Sequence, residues 1–397
     1  MRTLFPIVGQ KKTLNLLHRM SVNERYANAY LFYGPEGTGK EAFAMEFAAL
    51  MNCQSPGDQP CGECHGCKQM RQLQHPNLHL LFALPGGQGN KSDDPLKGLS
   101  ESVLDEVQQS IINKSRNPYE KIRISGAKFI KISSVRDMQK NVHLGLPEKG
   151  RKVVLIFGAE QMNNSSYNSI LKIVEEPPDH TSFIFCMSNL QGIPKTIRSR
   201  CQLMPFRHLT TDDIIEGLDQ YGLSDNPQAT AAVARMANGD FGFALELSRG
   251  QLNHWEEAVI EFMRAVMRGQ VELLQEQVDR LEARYAQSPD ALKRFLILVQ
   301  LWFHDARLYA ETGETDRLVY PQMLDKIESF IGHYSHIDYV SAQILLENSF
   351  DFIERNVYIR LALYSLQVQL RRAIQGELES KYYGYRHRFQ TNSLRGV

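Results

Sequence analysis

The chain carries no net charge, with 45 basic residues balancing 45 acidic ones over 397 positions. That balance argues against a protein that coats nucleic acid by itself and leaves room only for local basic patches. No apolar run approaches the length of a membrane span. The opening residues, Met1 to Pro6, lack the apolar core of a secretion signal, so a cytoplasmic protein is expected. Internal repeats are absent. Cysteine is sparse, with six residues in all. Four of them fall between Cys53 and Cys67, which in a cytosolic chain points to metal before disulfide. What remains is an ordinary globular composition, 43% hydrophobic and 23% charged, on a chain long enough for two or three domains.

The most informative segment runs from Gly34 to Glu41. Up to Lys40 it satisfies the phosphate-loop pattern G-x-x-x-x-G-K, in which glycines let backbone N–H groups curl around phosphates and the lysine reaches their outer oxygens. Ala29 to Tyr33 reads as a buried strand before the loop, and Glu41 to Met51 as a helix after it. The pattern should end in Ser or Thr, whose hydroxyl binds Mg²⁺; Glu41 stands there instead. Gly34, Gly37, Gly39 and Lys40 therefore form a degenerate phosphate loop at which ordinary Mg·ATP binding is disfavoured.

Cys53, Cys61, Cys64 and Cys67 make C-x₇-C-x₂-C-x₂-C, a set of four thiolates suited to tetrahedral Zn²⁺. Gly62 and Gly66 follow two of these cysteines, where they are expected to permit the turns that aim N–H groups at sulfur. A closed four-sulfur shell has no place for water, so the site is expected to be structural. His65 is the alternative ligand but is not needed. Cys186 reads as a buried strand residue and Cys201 as a loop residue.

After the cysteines, Pro85 to Pro95 reads as a Gly- and Asp-rich loop. From Ser100 to Lys114 an apolar stripe of Val103, Leu104, Val107 and Ile111 predicts a helix. Together they look like an insertion at about 86–127. Phe129 to Ile132 reads as a strand, followed by a helix capped by Ser133 or Ser134. Arg151 to Glu160 reads as the next buried strand. A P-loop ATPase ends this strand in an Asp that orients Mg²⁺ and often a Glu that activates water. Here those positions hold Gly158 and Ala159, and Glu160 arrives one or two residues late.

Taken with Ile7-Val8-Gly9-Gln10 near the start, Leu171-Lys172-Ile173-Val174-Glu175-Glu176-Pro177-Pro178 and Ser199-Arg200-Cys201, these motifs give residues 1 to about 205 a recognisable signature. The chain resembles the AAA+ clamp-loader subunits of bacterial DNA polymerase III, in particular their delta-prime branch. The insertion at 86–127 departs from the shorter family pattern. The resemblance implies that Arg200 is an arginine finger, acting in trans on ATP held by a neighbouring motor subunit. On residue type alone, Arg198 and Arg200 are ordinary loop charges. Asn238 to Glu246 matches a family segment whose active ATPases carry a sensing Arg near the position of Gly242. The chain thus lacks an arginine for its own nucleotide and keeps one for a neighbour's.

Leu209 to Ser248 reads as a small helical lid opened by Thr210 as N-cap, and residues from about 253 as helical throughout. Ala291–Glu311 and Val357–Ile374 carry the clearest apolar stripes. The expected architecture is an α/β P-loop (AAA+) domain over 1–207 with a zinc knuckle, a lid over 208–250 and an all-α collar over 251–397. The tail from Lys381 to Phe389 interleaves basic and aromatic residues; it reads as a frayed terminus ahead of a nucleic-acid contact. The resemblance implies a non-hydrolysing clamp-loader subunit, in a ring with gamma/tau-type and delta-type subunits, that helps load the sliding clamp onto primed DNA at nucleoid-associated replication forks. Two competing readings are an ATPase using Glu41 and Glu160 as unusual metal ligands, and a zinc-dependent nucleic-acid-binding protein on a dead nucleotide fold.

Overall fold

The computed structural model describes residues 3–378, apart from 56, 58, 87–93, 288, 335 and 355–357. Most of the Pro85–Pro95 loop and the whole basic-aromatic tail therefore lie outside the described residues. The chain divides into two compact units. The first runs to Thr230 and takes back Ala237–Leu245; the second comprises Ala231–Met236 and everything from Glu246 onward.

The first unit is built on five parallel strands in the order β2-β3-β4-β1-β5. They are β1 (Ala29–Tyr33), β2 (Leu78–Leu81), β3 (Lys152–Phe157), β4 (Thr181–Met187) and β5 (Gln202–Pro205). Every residue of β3 and β4 is buried. Helices on both faces require this. Alternate residues feed opposite cores. Tyr30, Phe32, Val153, Leu155 and Phe157 point to one face; Leu31, Val154, Ile156, Phe183 and Phe185 point to the other.

The helices of this unit are α1 (Lys11–Val22), α2 (Lys40–Asn52), α3 (His65–Arg71), α4 (Glu101–Arg116), α5 (Ile132–His143), α6 (Asn164–Glu175), α7 (Lys195–Arg198) and α8 (Thr211–Gln220). Then come α9 (Pro227–Met236), which spans the boundary between the units, and α10 (Phe241–Glu246). Thr210 caps α8 in a full capping box with Asp213. Residues of the insertion, Val107 and Ile124 among them, join the core on the face that carries α2.

Two local expectations need correcting. Phe129 to Ile132 is not a strand: Ile130 makes one isolated bridge to Met162, and α5 already begins at Ile132. Of its three apolar residues only Ile130 is buried, and Phe129 is 56% exposed, so the segment buries too little to hold a fifth ladder. Nor does a serine cap α5. Lys131 is at the N-cap without a side-chain bond, and Ser134 is buried inside the helix.

Among its described residues the second unit is helical, with α11 (Leu252–Arg268), α12 (Val271–Gln287), α13 (Pro289–Thr312), α14 (Leu324–His333), α15 (Tyr339–Glu354) and α16 (Ile359–Ile374). Its core is aromatic: Phe262 meets the edge of Phe295 at 5.4 Å, and Phe330 packs on Trp302 and Phe303. Buried Asp305 accepts the backbone N–H groups of Val319 (3.0 Å) and Tyr320 (2.7 Å), which fixes the turn after α13.

Candidate functional site

The phosphate loop leaves the carboxyl end of β1, with β4 on one side and β5 on the other. This is the crevice where open parallel sheets bind ligands. Glycine is needed here on steric grounds. A Cβ on Gly34 would lie 2.1 Å from Phe206 O, and one on Gly37 would lie 1.9 Å from Asp240 Oδ1. The segment leading into α10 therefore rests directly on the loop, and Phe241 N–H donates to Gly37 O at 3.1 Å.

The loop's own polar groups are turned inward. The Lys40 ammonium is buried and donates to the carbonyls of Gly34 (2.6 Å) and Pro35 (2.5 Å). Burial lowers its pKa, an effect the nearby Glu36 carboxylate opposes. Thr38 Oγ1 also donates to Pro35 O, at 2.9 Å.

Residues of the insertion complete the surroundings. Lys114, 1% exposed, donates to the Glu41 carboxylate and to the carbonyls of Pro118 and Glu120, both at 2.7 Å. Its ammonium stands 5.2 Å from the centre of the Phe157 ring, at the end of β3. Lys121 pairs with Glu36, which also accepts from Ser188 Oγ. The Tyr119 hydroxyl accepts Val8 N–H at 2.9 Å, and its ring meets Phe241 at 4.7 Å. Just past β3, Gly158 and Ala159 bring no carboxylate, and Glu160 is engaged by Ser188 N–H at 3.2 Å. Neither β2 nor these insertion contacts are foreseen by sequence reasoning. Lys114 lies 73 residues from its partner, and no local pattern marks the pairing.

The four cysteines converge. Their sulfurs all lie within 4.8 Å of one another, so Cys53, Cys61, Cys64 and Cys67 can hold a single metal ion. Backbone N–H groups point at three of them: Cys61 N at Cys53 Sγ (3.3 Å), Cys64 N at Cys61 Sγ (3.3 Å) and Cys67 N at Cys64 Sγ (3.4 Å). Such donors favour thiolates and pull the Cys61 thiol down to about 6, whereas burial pushes Cys67 up. Gly62 takes the left-handed turn (φ +75°). Gly66 does not: it is helical, and its missing side chain lets α3 approach Asn52, whose carbonyl would be 2.6 Å from a Cβ. His65 is exposed and outside the four-sulfur group. Cys186 is buried in β4 and Cys201 is partly buried just before β5.

Arg200 lies on the loop between α7 and β5, far in sequence from the phosphate loop. Its guanidinium is 40% exposed, pairs with Glu175 at 2.8 Å, and donates to Thr196 O at 2.8 Å. Glu175 is the first acid of the Glu-Glu-Pro-Pro motif, so two motifs apart in sequence meet at the surface. Arg198 is exposed in α7. Gly242 lies within α10 and offers no side chain to the loop.

Residues 9–210 match the protein family described as "DNA polymerase III, delta subunit". The chain belongs to this family. Among similar proteins, the DNA polymerase III subunit delta' of Bacillus subtilis (strain 168) is 29% identical over 240 residues, covering 60% of this chain and 59% of that one. The tau subunit of the same organism is 27% identical over 246 residues, 61% of this chain and 36% of tau. Tau of Escherichia coli (strain K12) is 28% identical over 253 residues, 62% and 32%. The chain thus spans between about a third and three-fifths of these relatives. With relatives named delta', tau and gamma, it is a member of the clamp-loader family. A gamma subunit-related protein of Thermotoga maritima overlaps with a TM-score of 0.41 at 13% identity, covering 91% of this chain and 99% of that one. That overlap is too loose to argue from. Among the described residues, no helix is long and apolar enough to cross a membrane.

Proposed function

We propose that the chain is a non-hydrolysing, delta-prime-type AAA+ subunit of the DNA polymerase III clamp loader. In this reading it helps place a sliding clamp on primed DNA and lends Arg200 to the ATP site of a neighbouring gamma/tau-type subunit. One contrast carries the reading. The phosphate-loop lysine is turned into its own loop, whereas Arg200 stands at the surface, held by a half-exposed ion pair, the Thr196 carbonyl and the Ser199 hydroxyl. An exposed pair of this kind contributes about 1 kcal/mol or less, so the guanidinium is easily released toward a partner. In transferring a phosphoryl group, charge grows on equatorial oxygens, and a guanidinium supplied in trans stabilises it.

The reading that makes the chain an ATPase is disfavoured because Glu41, its intended metal ligand, is consumed by Lys114. In the proposed assembly the cysteine set holds one structural Zn²⁺, the ion that a four-thiolate shell suits best. The helical second unit would join the collar of the ring. Leu361 (65% exposed) and Val368 (51%) give α16 apolar positions for such contacts. The test is reconstitution of the complex with Arg200→Ala and measurement of its DNA-stimulated ATPase.

A further inference from the structure

Lysine has three N–H donors, and a buried ammonium is tolerated only when charge and donors are all matched. Lys114 meets both conditions. One donor goes to the Glu41 carboxylate and the other two to Pro118 O and Glu120 O. Its location is equally telling. Glu41 occupies the position that supplies a metal-binding hydroxyl in P-loop enzymes, and Phe157 is the last residue of the strand that supplies their metal-binding Asp. The ammonium lies against both.

The rest of the same turn reaches further along the loop. Tyr119 OH would be 3.2 Å from a Cβ on Gly39, and Lys121 pairs with Glu36 inside the loop. The usual polarity of the site is thus inverted. The loop contributes the acids Glu36 and Glu41, and the segment that covers it contributes the bases Lys114 and Lys121.

Resting on the non-hydrolysing reading above, we propose that Lys114–Lys121 of the insertion is a built-in occupant of the phosphate-loop cleft. Lys114 takes the place of the metal, and the turn excludes nucleotide. Glu41 is then the partner that lets Lys114 be buried, and its presence follows from the insertion.

The experiment measures binding of a fluorescent (mant) ATP with Mg²⁺ to the full chain. Wild type is expected to show no saturable binding up to about 1 mM, the upper end of ordinary enzyme affinities. The paired variant Glu41→Thr/Lys114→Met removes both charges together and restores the G-x-x-x-x-G-K-T signature. It is expected to bind saturably, with affinity improved roughly tenfold or more. Lys114→Met alone leaves the Glu41 carboxylate facing the phosphates and should gain nothing. Equal binding by wild type and the paired variant would overturn the inference. So would a paired variant that keeps its metal content and a cooperative melt yet binds no nucleotide. Should that variant fail to fold, Glu41→Ser/Lys114→Leu removes the same two charges with different packing, restores G-x-x-x-x-G-K-S, and carries the same expectation and the same overturning result. Nucleotide binding by wild type without hydrolysis sinks the occupant alone. Hydrolysis by the isolated wild-type chain sinks the underlying functional reading.

Discussion

Single side chains decide most of the chemistry in the first unit. Glu46 in α2 is fully buried and accepts the backbone N–H groups of Leu4 (2.9 Å) and Phe5 (3.0 Å), tying down the start of the chain. Burial raises its pKa from 4.5 to about 7. The folded protein therefore takes up a proton here in a pH range where the unfolded chain has lost it. The stabilisation is complete below about pH 4.5 and is lost as pH rises through 7, an effect of roughly 3 kcal/mol at most. Thermal melts of wild type and Glu46→Gln between pH 5 and 8 check this: the wild-type midpoint should fall more steeply with pH. Parallel curves would contradict it. The Glu41–Lys114 pair makes a second prediction. Removing one partner of a buried pair typically costs about 3–5 kcal/mol, so Glu41→Thr should destabilise strongly in urea unfolding. Lys114→Met added to it should recover part of that loss. Strictly additive effects would mean that the two residues are not coupled.

At the scale of elements, the cysteine module makes the clearest prediction. Protein purified without chelator is expected to hold one zinc per chain, and Cys67→Ser to lose the metal and destabilise α3. Metal analysis that finds none would remove the site. This module was readable in sequence because close spacing of thiols is a local property. So was the phosphate loop: its glycines, strand and helix lie within a few residues, and β1 and α2 formed where the pattern puts them. Elements defined by distant partners were not readable. The edge strand β2 is four residues long, with three of them only half-buried, and it exists because β3 offers a ladder from Val153 to Ile156. The segment Phe129–Ile132, read as a strand on its apolar residues, makes one isolated bridge and then starts a helix. The 86–127 segment read only as an insertion, yet it carries side chains that pair with the phosphate loop, through contacts that no periodicity encodes.

For the whole molecule, the proposed role is to complete a site that the chain does not itself contain. The isolated protein is accordingly expected to hydrolyse no ATP above background, with or without primed DNA; turnover that survives purification to homogeneity would favour the reading as an ATPase. The family match covers residues 9–210, so the role of the helical second unit rests on proposal, and assembly of the ring is the property to examine when Leu361 and Val368 are made polar. The most direct measurement remains the DNA-stimulated ATPase of a reconstituted clamp loader carrying Arg200→Ala in this subunit alone. Arginine fingers contribute about 10³–10⁵ in rate at a single site, so the turnover that depends on the adjoining ATP site is expected to disappear while the complex still assembles. An assembled complex that hydrolyses ATP at the wild-type rate would contradict the role assigned to Arg200.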